Sequence, residues 1–362
     1  MKRRQFLGAL GAGAAGAVAA PFVSTASAQE TITWRMVTSW PKNFPALGTG
    51  ANDFAQRIET LSGGRMRVQV YGAGELVPAL EVFDAVAAGT AEMGHSASYY
   101  WRGKLAASQF FTAVPFGMNT TETNAWLYHG GGQELWDEIY ARHNLKPFAV
   151  GNTGTQMAGW FKKEIHSLDD MRGLRIRLPG LAGEAMNGIG ATAVNMPGSE
   201  IFTSMQTGVL DAADWVGPYN DMAFGLYQVA DYYYTSVWNE PSAVLEGTIN
   251  LDAWNALPDD LKAVVVEAAR SANLAMIDEF TFRNAQALQT LVDEHGVELR
   301  TFPEDVMAAL HESSQEVLAR QVESDPESAR VYESYQAFQR LVRPFTDVGE
   351  FSYLKGRDAV GA

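Results

Sequence analysis

The segment Glu81-Val-Phe-Asp-Ala-Val-Ala-Ala-Gly89 recurs later in the chain as Glu200-Ile-Phe-Thr-Ser-Met-Gln-Thr-Gly208. An Arg-x-Arg strand precedes each copy, Arg65-Met66-Arg67 in the first case and Arg175-Ile176-Arg177 in the second. A strand-then-helix pattern that occurs twice in the sequence predicts two similar α/β lobes. The gap between two such lobes is a common place for a small ligand.

The two copies differ where the strand ends. The first strand continues past Arg67, whereas the second stops at Pro179, just after Arg177. Arg177 is therefore expected at the carboxyl end of a strand, the edge of an open α/β sheet where ligands bind. Its guanidinium offers a rigid fork of donors suited to a carboxylate. The alternative is an ordinary surface arginine, which is the interpretation we prefer for Arg175.

The first 28 residues have the features of an export signal. Lys2, Arg3 and Arg4 form a basic start, the apolar run over 6–20 is too short for a membrane span, and Ala26-Ser27-Ala28 is a cleavage motif. The arginine pair fits a twin-arginine signal, with a general secretory signal as the alternative. Both routes predict a periplasmic protein.

The charge and cysteine content exclude several functions. Without the three signal cations, the Lys and Arg count falls from 27 to 24 against 42 Asp and Glu, so the net charge moves from −15 to −18. Nucleic acid is an improbable partner for so acidic a chain, and an anionic ligand would need a local cationic pocket. The absence of cysteine excludes disulfides and cysteine-based catalysis or metal binding.

Strand and helix patterns alternate through the first part of the mature chain. Strands are predicted over 31–39, 65–71 and 91–95, with helices over 49–61 and 80–88, an order that favours a mostly parallel sheet. In the later copy, strands are predicted over 175–177 and 210–215.

The predicted domain organisation has four parts. After the signal at 1–28, the first lobe takes residues 29–150 plus about 241–257, and the second lobe takes residues 151–240. Residues 258–362 form a long helix and C-terminal helices that brace both lobes.

The long helical pattern starts after Pro258 and reaches about Glu294. A helix of roughly 35 residues spans about 50 Å, which is more than one lobe, so it should contact both lobes or a partner subunit. Two helices joined by a kink are the alternative. A second helical region, from Pro303 to Arg343, is expected to break near Asp325-Pro326.

Aromatic loops follow both short strands at matching intervals. One loop is 96–101, with Tyr99 and Tyr100, and the other is 214–219, with Trp215. Both are predicted to project into the gap between the lobes, where the rings could close over a small organic acid. Aromatic packing between the lobes, without a ligand, is the alternative.

Gln156, Asp214 and Glu240 are side-chain oxygen donors beside turns rich in Trp, Pro or Gly. Two carboxylates near a site for an anion would repel that anion unless a cation lay between them. Such oxygens suit Ca²⁺, Na⁺ or Mg²⁺. From the residues alone, solvent-exposed carboxylates are the simpler interpretation.

Catalytic motifs are incomplete in this chain. The six histidines form no H-E-x-x-H pattern, and His129-Gly-Gly-Gly132 has no G-x-S-x-G partner, although Gly94-His-Ser-Ala-Ser98 comes close. We therefore predict that the protein is not an enzyme and uses no catalytic cofactor.

Several longer stretches resemble a known family. Leu168-Asp-Asp-Met-Arg-Gly-Leu-Arg-Ile-Arg-Leu-Pro179 is similar to the signature of the solute-binding proteins of tripartite ATP-independent periplasmic (TRAP) transporters, the DctP-like family. The stretches Met205–Trp215 and Ala287–Val297 fit the same family, so the resemblance covers essentially the whole mature chain. Gly154–Trp160 and Val237–Pro241 resemble its 2-oxo acid-binding TakP subgroup.

The resemblance implies an α/β, two-lobed periplasmic binding protein fold with a long C-terminal helical segment. It implies that Arg177 pairs with the ligand carboxylate and that Tyr99, Tyr100 and Asn152 line the pocket. A bound Na⁺ or Ca²⁺ ion, itself in contact with the ligand, would be held by Gln156, Asp214, Trp215 (through its main-chain oxygen) and Glu240. Gln156 and Trp215 would then belong to the ligand-binding set as well.

The implied function is that of an extracytoplasmic receptor. It would capture a small 2-oxo or 2-hydroxy monocarboxylate, of the pyruvate or lactate type, and deliver it to the TRAP membrane permease. The subgroup often has Glu where this chain has Asp214, which leaves the choice of cation open. A homodimer through the long helix is compatible with the resemblance. A C4-dicarboxylate is the closest alternative ligand, and a periplasmic hydrolase is the alternative from another class.

Overall fold

The computed structural model describes residues 31–235 and 237–361, and the predicted export signal at 1–28 lies outside these residues. The described chain folds into two β-sheets and a set of helices. The strands are β1 Ile32–Thr38, β2 Met66–Tyr71, β3 Met93–Ser96, β4 Leu145–Asn152, β5 Gly159–Phe161, β6 Arg175–Arg177, β7 Thr192–Val194, β8 Ala212–Ala213, β9 Tyr232–Tyr234, β10 Val244–Asn250 and β11 Glu298–Arg300.

Helices cover the faces of these sheets and form the C-terminal part of the chain. They are α1 Leu47–Leu61, α2 Val82–Ala87, α3 Thr120–His129, α4 Gly132–Ala141, α5 Gly180–Gly188, α6 Gly198–Gln206, α7 Pro218–Ala223, α8 Leu251–Ala256, α9 Asp259–Asp293, α10 Glu304–Ser324, α11 Pro326–Thr346 and α12 Ser352–Ala359. Within the described residues, no helix combines the length and the apolar character that crossing a membrane requires.

The first sheet has the strand order β2-β1-β3-β10-β4. Strand β1 pairs in parallel with β2 and β3, as the alternating strand and helix patterns predict. Helix α1 covers one face of this sheet because Ala51, Phe54 and Ile58 recur at helical spacing and are all buried. They pack in one cluster with Val265 and Ala269 of α9.

The second sheet has the order β11-β9-β5-β8-β6-β7. The prediction of a mostly parallel architecture is confirmed for nine of the eleven described strands. The exceptions are β10 in the first sheet and β5 in the second, which run antiparallel to both of their neighbours. Each of these strands enters its sheet directly from a segment that crosses from the other sheet. A helical crossover, which would keep the strands parallel, is absent at those two points.

Two crossing segments connect the sheets and run side by side. One follows β4, and the other precedes β10. Their main chains are joined by hydrogen bonds from Thr153 N to Ala243 O, at 3.0 Å, and from Gln156 N to Glu240 O, at 3.2 Å. The predicted residue limits of the two lobes remain a prediction.

The repeated segments form helices α2 and α6, as expected from their sequence. The strand predicted over 210–215 is shorter, since β8 contains only Ala212 and Ala213. Asp214 and Trp215 are therefore loop residues at the carboxyl end of β8.

Helix α9 is one continuous helix of 35 residues, so the kinked alternative is wrong. Its Met276 side chain lies against Gly50 of α1 and Gly151 of β4. Nearer its C-terminus, Asn284 Oδ1 accepts a hydrogen bond from Tyr219 N of α7, at 2.9 Å. The helix thus contacts elements attached to both sheets. The predicted break between α10 and α11 is confirmed at Asp325.

Candidate ligand-binding site

Arg177 is the last residue of β6, and its side chain is fully buried, with 0% exposure. The surface-arginine alternative is therefore wrong for Arg177. Arg175 is the exposed member of the pair and forms an ion pair with Asp211 at 2.7 Å. Because β6 pairs with β8, with Arg177 opposite Ala213, the strand register brings Arg177 beside Asp214.

The guanidinium of Arg177 is held on three sides. Its Nη1 donates to the main-chain oxygen of Asp214 at 3.0 Å, Nη2 to the hydroxyl of Tyr100 at 3.2 Å, and Nε to the main-chain oxygen of Met196 at 3.4 Å. The Trp215 ring lies under the guanidinium, 5.1 Å from its centre to the Arg177 Cζ. An arginine has five N–H groups, so these three bonds leave two for a further acceptor.

Asp214 and Glu240 are both 1% exposed, so the interpretation that they are solvent-exposed carboxylates is wrong. Asp214 Oδ1 accepts one hydrogen bond, from Asn239 Nδ2 at 3.0 Å, while Oδ2 has no hydrogen-bond partner and lies 3.8 Å from Arg177 Nη1. Neither carboxylate oxygen of Glu240 has a partner with the geometry of a hydrogen bond, although the Gln156 side chain is near enough to lower the Glu240 pKa. Three buried carboxylate oxygens therefore lack a donor among the described residues.

Burial shifts the ionisation of both acids. It raises the pKa of Asp214 to about 7, although the nearby Arg177 charge opposes the shift. Burial, reinforced by the charge of Asp214, raises the pKa of Glu240 well above its ordinary range. The two acids therefore lie within electrostatic range of each other, and a cation between them would favour both ionised forms.

The residues around these acids suit a hard cation. Gln156 lies in the crossing segment beside Glu240, is buried, and its Oε1 has no hydrogen-bond partner. No group of three or more His, Cys, Asp or Glu that could hold a metal occurs in the part of the chain described. The available donors are two carboxylates, an amide oxygen and main-chain oxygens, which is the oxygen-rich set preferred by Ca²⁺ and Na⁺ rather than Zn²⁺.

Trp215 is packed tightly against the start of α6. A Cβ atom added at Gly198 would lie only 2.4 Å from Cη2 of Trp215. Glycine at this position lets the ring approach the helix backbone, and the ring in turn supports Arg177. The indole Nε1 of Trp215 is buried without a hydrogen-bond partner.

Tyr99 and Tyr100 lie in a 3₁₀ turn, Ser98–Trp101, directly after β3. Their rings meet edge to face at 4.8 Å. Burial raises the pKa of Tyr99 well above its ordinary value, and the negative charges of Glu240 and Asp214 add to that shift. The turn thus brings first-sheet hydroxyls to the second-sheet residues Arg177 and Asp214.

Asn152 is buried at the end of β4, and both ends of its amide are engaged within the protein. Its Nδ2 donates to Ser242 Oγ at 2.9 Å, and its Oδ1 accepts from Gly154 N at 2.9 Å. The first bond ties the two crossing segments together, and the second lies within the segment that follows β4. Asn152 lies near the predicted site, but a ligand contact would have to share a group that is already bonded.

The site is enclosed by contacts between residues that flank the first sheet and residues that flank the second. Phe44, in the loop after β1, stacks on Phe224 with ring centres 4.2 Å apart. Asn220 Nδ2 of α7 donates to Pro45 O at 2.9 Å. Arg102 forms an ion pair with Glu184 of α5. The candidate site is consequently closed off from solvent.

Three residues around the site were missed by the sequence reasoning. Asn239 supports Asp214, while Asp221 and Glu246 are buried acids behind the aromatic loops. The sequence did offer a signal for Glu246, because it is the one charged residue of strand β10. Asp221 carried no such signal, since an acid in the first turn of a helix is common.

The chain matches the bacterial extracellular solute-binding protein family 7 (DctP) over residues 36–325. The protein therefore belongs to this family. A monocarboxylate 2-oxoacid-binding periplasmic protein from Nostoc sp. is 41% identical over 360 residues, which cover 98% of each chain.

Two solved structures with bound ligands are similar throughout. The TRAP periplasmic solute-binding protein of Pseudoalteromonas atlantica, with bound sodium and pyruvate, is 39% identical with a TM-score of 0.88, covering 90% of this chain and 99% of that one. The protein of Colwellia psychrerythraea, with bound calcium and pyruvate, is 37% identical with a TM-score of 0.88, covering 90% and 100%. The predicted two-lobed α/β fold is confirmed by this likeness.

Proposed function

We propose that this protein is the extracytoplasmic receptor of a TRAP transporter and that it binds a small 2-oxo or 2-hydroxy monocarboxylate together with Na⁺ or Ca²⁺. The observation that carries the proposal is the pairing of a buried arginine, Arg177, with buried carboxylate oxygens that lack donors. The bound pyruvate and cations of the two similar structures support the same ligand class.

Arg177 is the proposed partner of the ligand carboxylate. Its two uncommitted N–H groups can meet the two oxygens of a carboxylate, while Tyr100 and the Asp214 main chain hold the guanidinium in place. Tyr99 and Tyr100 supply hydroxyls for the remaining ligand oxygens. In this enclosed site, such charge-assisted hydrogen bonds are stronger than in water.

The charges of the site residues and of the ligand are the reason for proposing a bound cation. With Arg177, Asp214 and Glu240 all ionised, the site carries one net negative charge, and a monocarboxylate would add a second. Burying two uncompensated negative charges is costly. Na⁺ halves that charge and Ca²⁺ cancels it. Gln156, Asp214, Trp215 and Glu240 are the residues we propose as its ligands. When bound, the cation would also attract the 2-oxo or 2-hydroxyl oxygen of the acid.

Other functions have less support. A C4-dicarboxylate would need a second cationic side chain, and Arg177 is the one fully buried Lys or Arg of the described residues. A hydrolase would need a nucleophile and a base within hydrogen-bonding distance. His95 is the one buried histidine of the described residues, and it makes no hydrogen bond to a hydroxyl, because its Nδ1 accepts from Trp40 Nε1 at 2.8 Å and its Nε2 has no partner.

Periplasmic location, transfer of the ligand to a membrane permease, and a homodimer complete the proposal. Membership in an extracellular solute-binding family supports the first two. For the dimer, Leu274 and Phe282 of α9 are 60% and 59% exposed, an apolar surface that a second copy could cover. Sedimentation of the wild type against Phe282→Glu would test the dimer, and a monomeric wild type would contradict it.

Cation-dependent binding is the experiment that tests the proposed function. Calorimetric titration with pyruvate is expected to give binding in buffer containing Na⁺ or Ca²⁺. After dialysis against a chelator into sodium-free buffer, we expect the affinity to fall at least tenfold and to return when the cation is added. Succinate serves as the control for the dicarboxylate alternative.

Two outcomes would contradict the proposal. Unchanged pyruvate affinity without Na⁺ and Ca²⁺ would remove the cation from the site. Tight binding of succinate with none of pyruvate or lactate would replace the ligand class. Native mass spectrometry of the purified protein would identify a co-purified acid, a metal ion and the subunit count in one measurement.

A further inference from the structure

Glu246 is a buried acid that is not among the residues proposed to bind the ligand or the cation. It lies in the middle of β10 and is completely buried in the first sheet. Both of its carboxylate oxygens accept hydrogen bonds. Oε2 accepts from Ser98 Oγ at 2.6 Å and from Tyr140 Oη at 2.8 Å, and Oε1 accepts from Trp101 Nε1.

Two of these donors are the ends of the turn that carries the site tyrosines. Ser98 and Trp101 are the first and last residues of the 3₁₀ turn, and Tyr99 and Tyr100 lie between them. The carboxyl group of Glu246, in the first sheet, therefore accepts a hydrogen bond from each end of the turn. A four-residue turn held at both ends has little freedom to shift or rotate.

The opposite side of the same turn contacts the second sheet. Tyr100 Oη accepts the hydrogen bond from Arg177 Nη2 at 3.2 Å. A further hydrogen bond fixes the start of the turn, since Ser108 Oγ donates to Ser98 O at 2.8 Å. The position of Tyr100 relative to Arg177 is thus determined by the contacts that Ser98 and Trp101 make in the first sheet.

Stability alone does not account for an acid at this place. The neighbours of Glu246 in β10 include Val244, Leu245 and Ile249, all buried. Replacing a buried polar group together with its partners by well-packed apolar residues is often neutral or stabilising, whereas removing the acid alone leaves its donors unpaired. An aliphatic side chain would suit the strand, but it could not bind the hydroxyl of Ser98 and the indole of Trp101 at once.

We propose that Glu246 is a positioning residue for ligand binding, which holds the turn Ser98–Trp101 so that Tyr99 and Tyr100 stand at the correct distance from Arg177. The proposal rests on the function proposed above for the Arg177 site. Glu246 itself contacts no ligand. Its effect on affinity acts through the turn.

Three variants and one control test this role. Glu246→Leu removes all acceptors, and Ser98→Ala removes one donor and is the milder change. Glu246→Gln keeps an acceptor for Trp101, while its amide can donate to the hydroxyls of Ser98 and Tyr140, which also accept. Asn250→Ala is the matched control. It removes a buried polar side chain from the end of the same strand, where Asn250 Nδ2 donates to Val86 O.

Pyruvate affinity and hydrogen exchange are measured on the purified, ligand-free protein and its variants. We expect Kd to rise at least tenfold in Glu246→Leu and about threefold in Ser98→Ala, with Glu246→Gln and Asn250→Ala within about threefold of the wild type. We also expect faster amide exchange in residues 98–101 of Glu246→Leu, and no such change there in Asn250→Ala. A role in folding alone would lower stability without altering the affinity of the folded protein.

The two readouts separate the possible failures. Unchanged exchange over 98–101 in Glu246→Leu and Ser98→Ala would overturn the proposal, whatever the affinity. Faster exchange with unchanged pyruvate affinity would overturn it too, because the position of the turn would then be irrelevant to the ligand. If the wild type binds no 2-oxo acid, the function proposed above is wrong, and the exchange data still decide whether Glu246 holds the turn.

Discussion

Two pairs of acids among the described residues are at most 1% exposed, and they differ in how their oxygens are satisfied. In the site pair, Asp214 has one oxygen without a hydrogen-bond partner and Glu240 has two. In the supporting pair, Glu246 accepts three hydrogen bonds. Asp221 accepts four, from Trp160 Nε1, Tyr233 Oη and the main-chain N–H groups of Val216 and Gly217.

Residue type and burial are the same in both pairs, so neither property explains the difference. The supporting acids stand behind the two aromatic loops. Glu246 holds the turn with Tyr99 and Tyr100, and Asp221 holds the main chain just after Trp215. An acid whose oxygens all have donors stabilises its surroundings, whereas an acid without donors has binding capacity left for a ligand or a cation. Unsatisfied buried oxygens are therefore the feature that marks the site.

The largest expected effect comes from removing the charge that faces the site acids. Arg177→Ala should weaken pyruvate binding by at least about 2 and up to about 5 kcal/mol, because a buried carboxylate would lose its charged partner. The lower value corresponds to roughly 30-fold in Kd. Calorimetry measures this change. Arg175→Ala, two residues earlier and exposed, is the control and should leave Kd within about twofold. An unaltered affinity in Arg177→Ala would remove that residue from the site.

Replacing an acid by an uncharged residue should change the stability of the ligand-free protein in opposite directions in the two pairs. Glu240→Gln should abolish cation-dependent binding and yet raise the stability of the ligand-free protein by about 3 kcal/mol. The reason is that folding must either bury the Glu240 carboxylate without donors or protonate it near neutral pH, because its pKa is raised, and both are costly. A glutamine needs no proton, and its amide can donate to Asp214 Oδ2 or Gln156 Oε1. Glu246→Leu should lower stability, since it leaves the donors of Ser98 and Trp101 unpaired.

Urea unfolding of the ligand-free variants measures both signs. Equal losses of stability in Glu240→Gln and Glu246→Leu would show that the lack of donors around Glu240 does not lower the stability of the ligand-free protein. The comparison between the two pairs would then fail.

A smaller effect concerns the pH dependence of stability. Burial raises the pKa of Glu246 to about 7, from an ordinary value of 4.5, despite its hydrogen bonds from Ser98, Tyr140 and Trp101. The folded state therefore keeps a proton that the unfolded state has lost. The contribution of Glu246 to stability is complete below pH 4.5 and declines as the pH rises to 7. Between pH 5 and pH 7 this decline should amount to about 2 kcal/mol.

Glu246→Gln has no carboxyl at this position and should lose that part of the slope. Urea unfolding at pH 5, 6 and 7 would show the variant gaining on the wild type as the pH rises. Asp221 would contribute a slope of the same sign in both proteins, because burial raises its pKa to about 6. Parallel pH profiles for the two proteins would mean that Glu246 stays ionised in the fold.

Much of the fold could be read from local patterns. The repeated strand and helix segments, the long helix α9 and the break at Asp325 are properties of short stretches, set by the spacing of apolar residues and by Pro and Gly. The mixed character of the sheets could not be read in this way. The antiparallel strands β5 and β10 depend on where the chain crosses between the sheets, which no local pattern records.

For the site, the sequence by itself determined the candidate residues and the end of the strand at Arg177. Resemblance to the family added the grouping of Gln156, Asp214 and Glu240. Only the tertiary structure decided that the acids are buried and that some of their oxygens have donors while others do not. Burial and hydrogen-bond partners are set by residues distant in the chain, as Asn239 is for Asp214 and Ser98 for Glu246. The difference between a binding acid and a supporting acid therefore arises only when the two sheets and their loops come together.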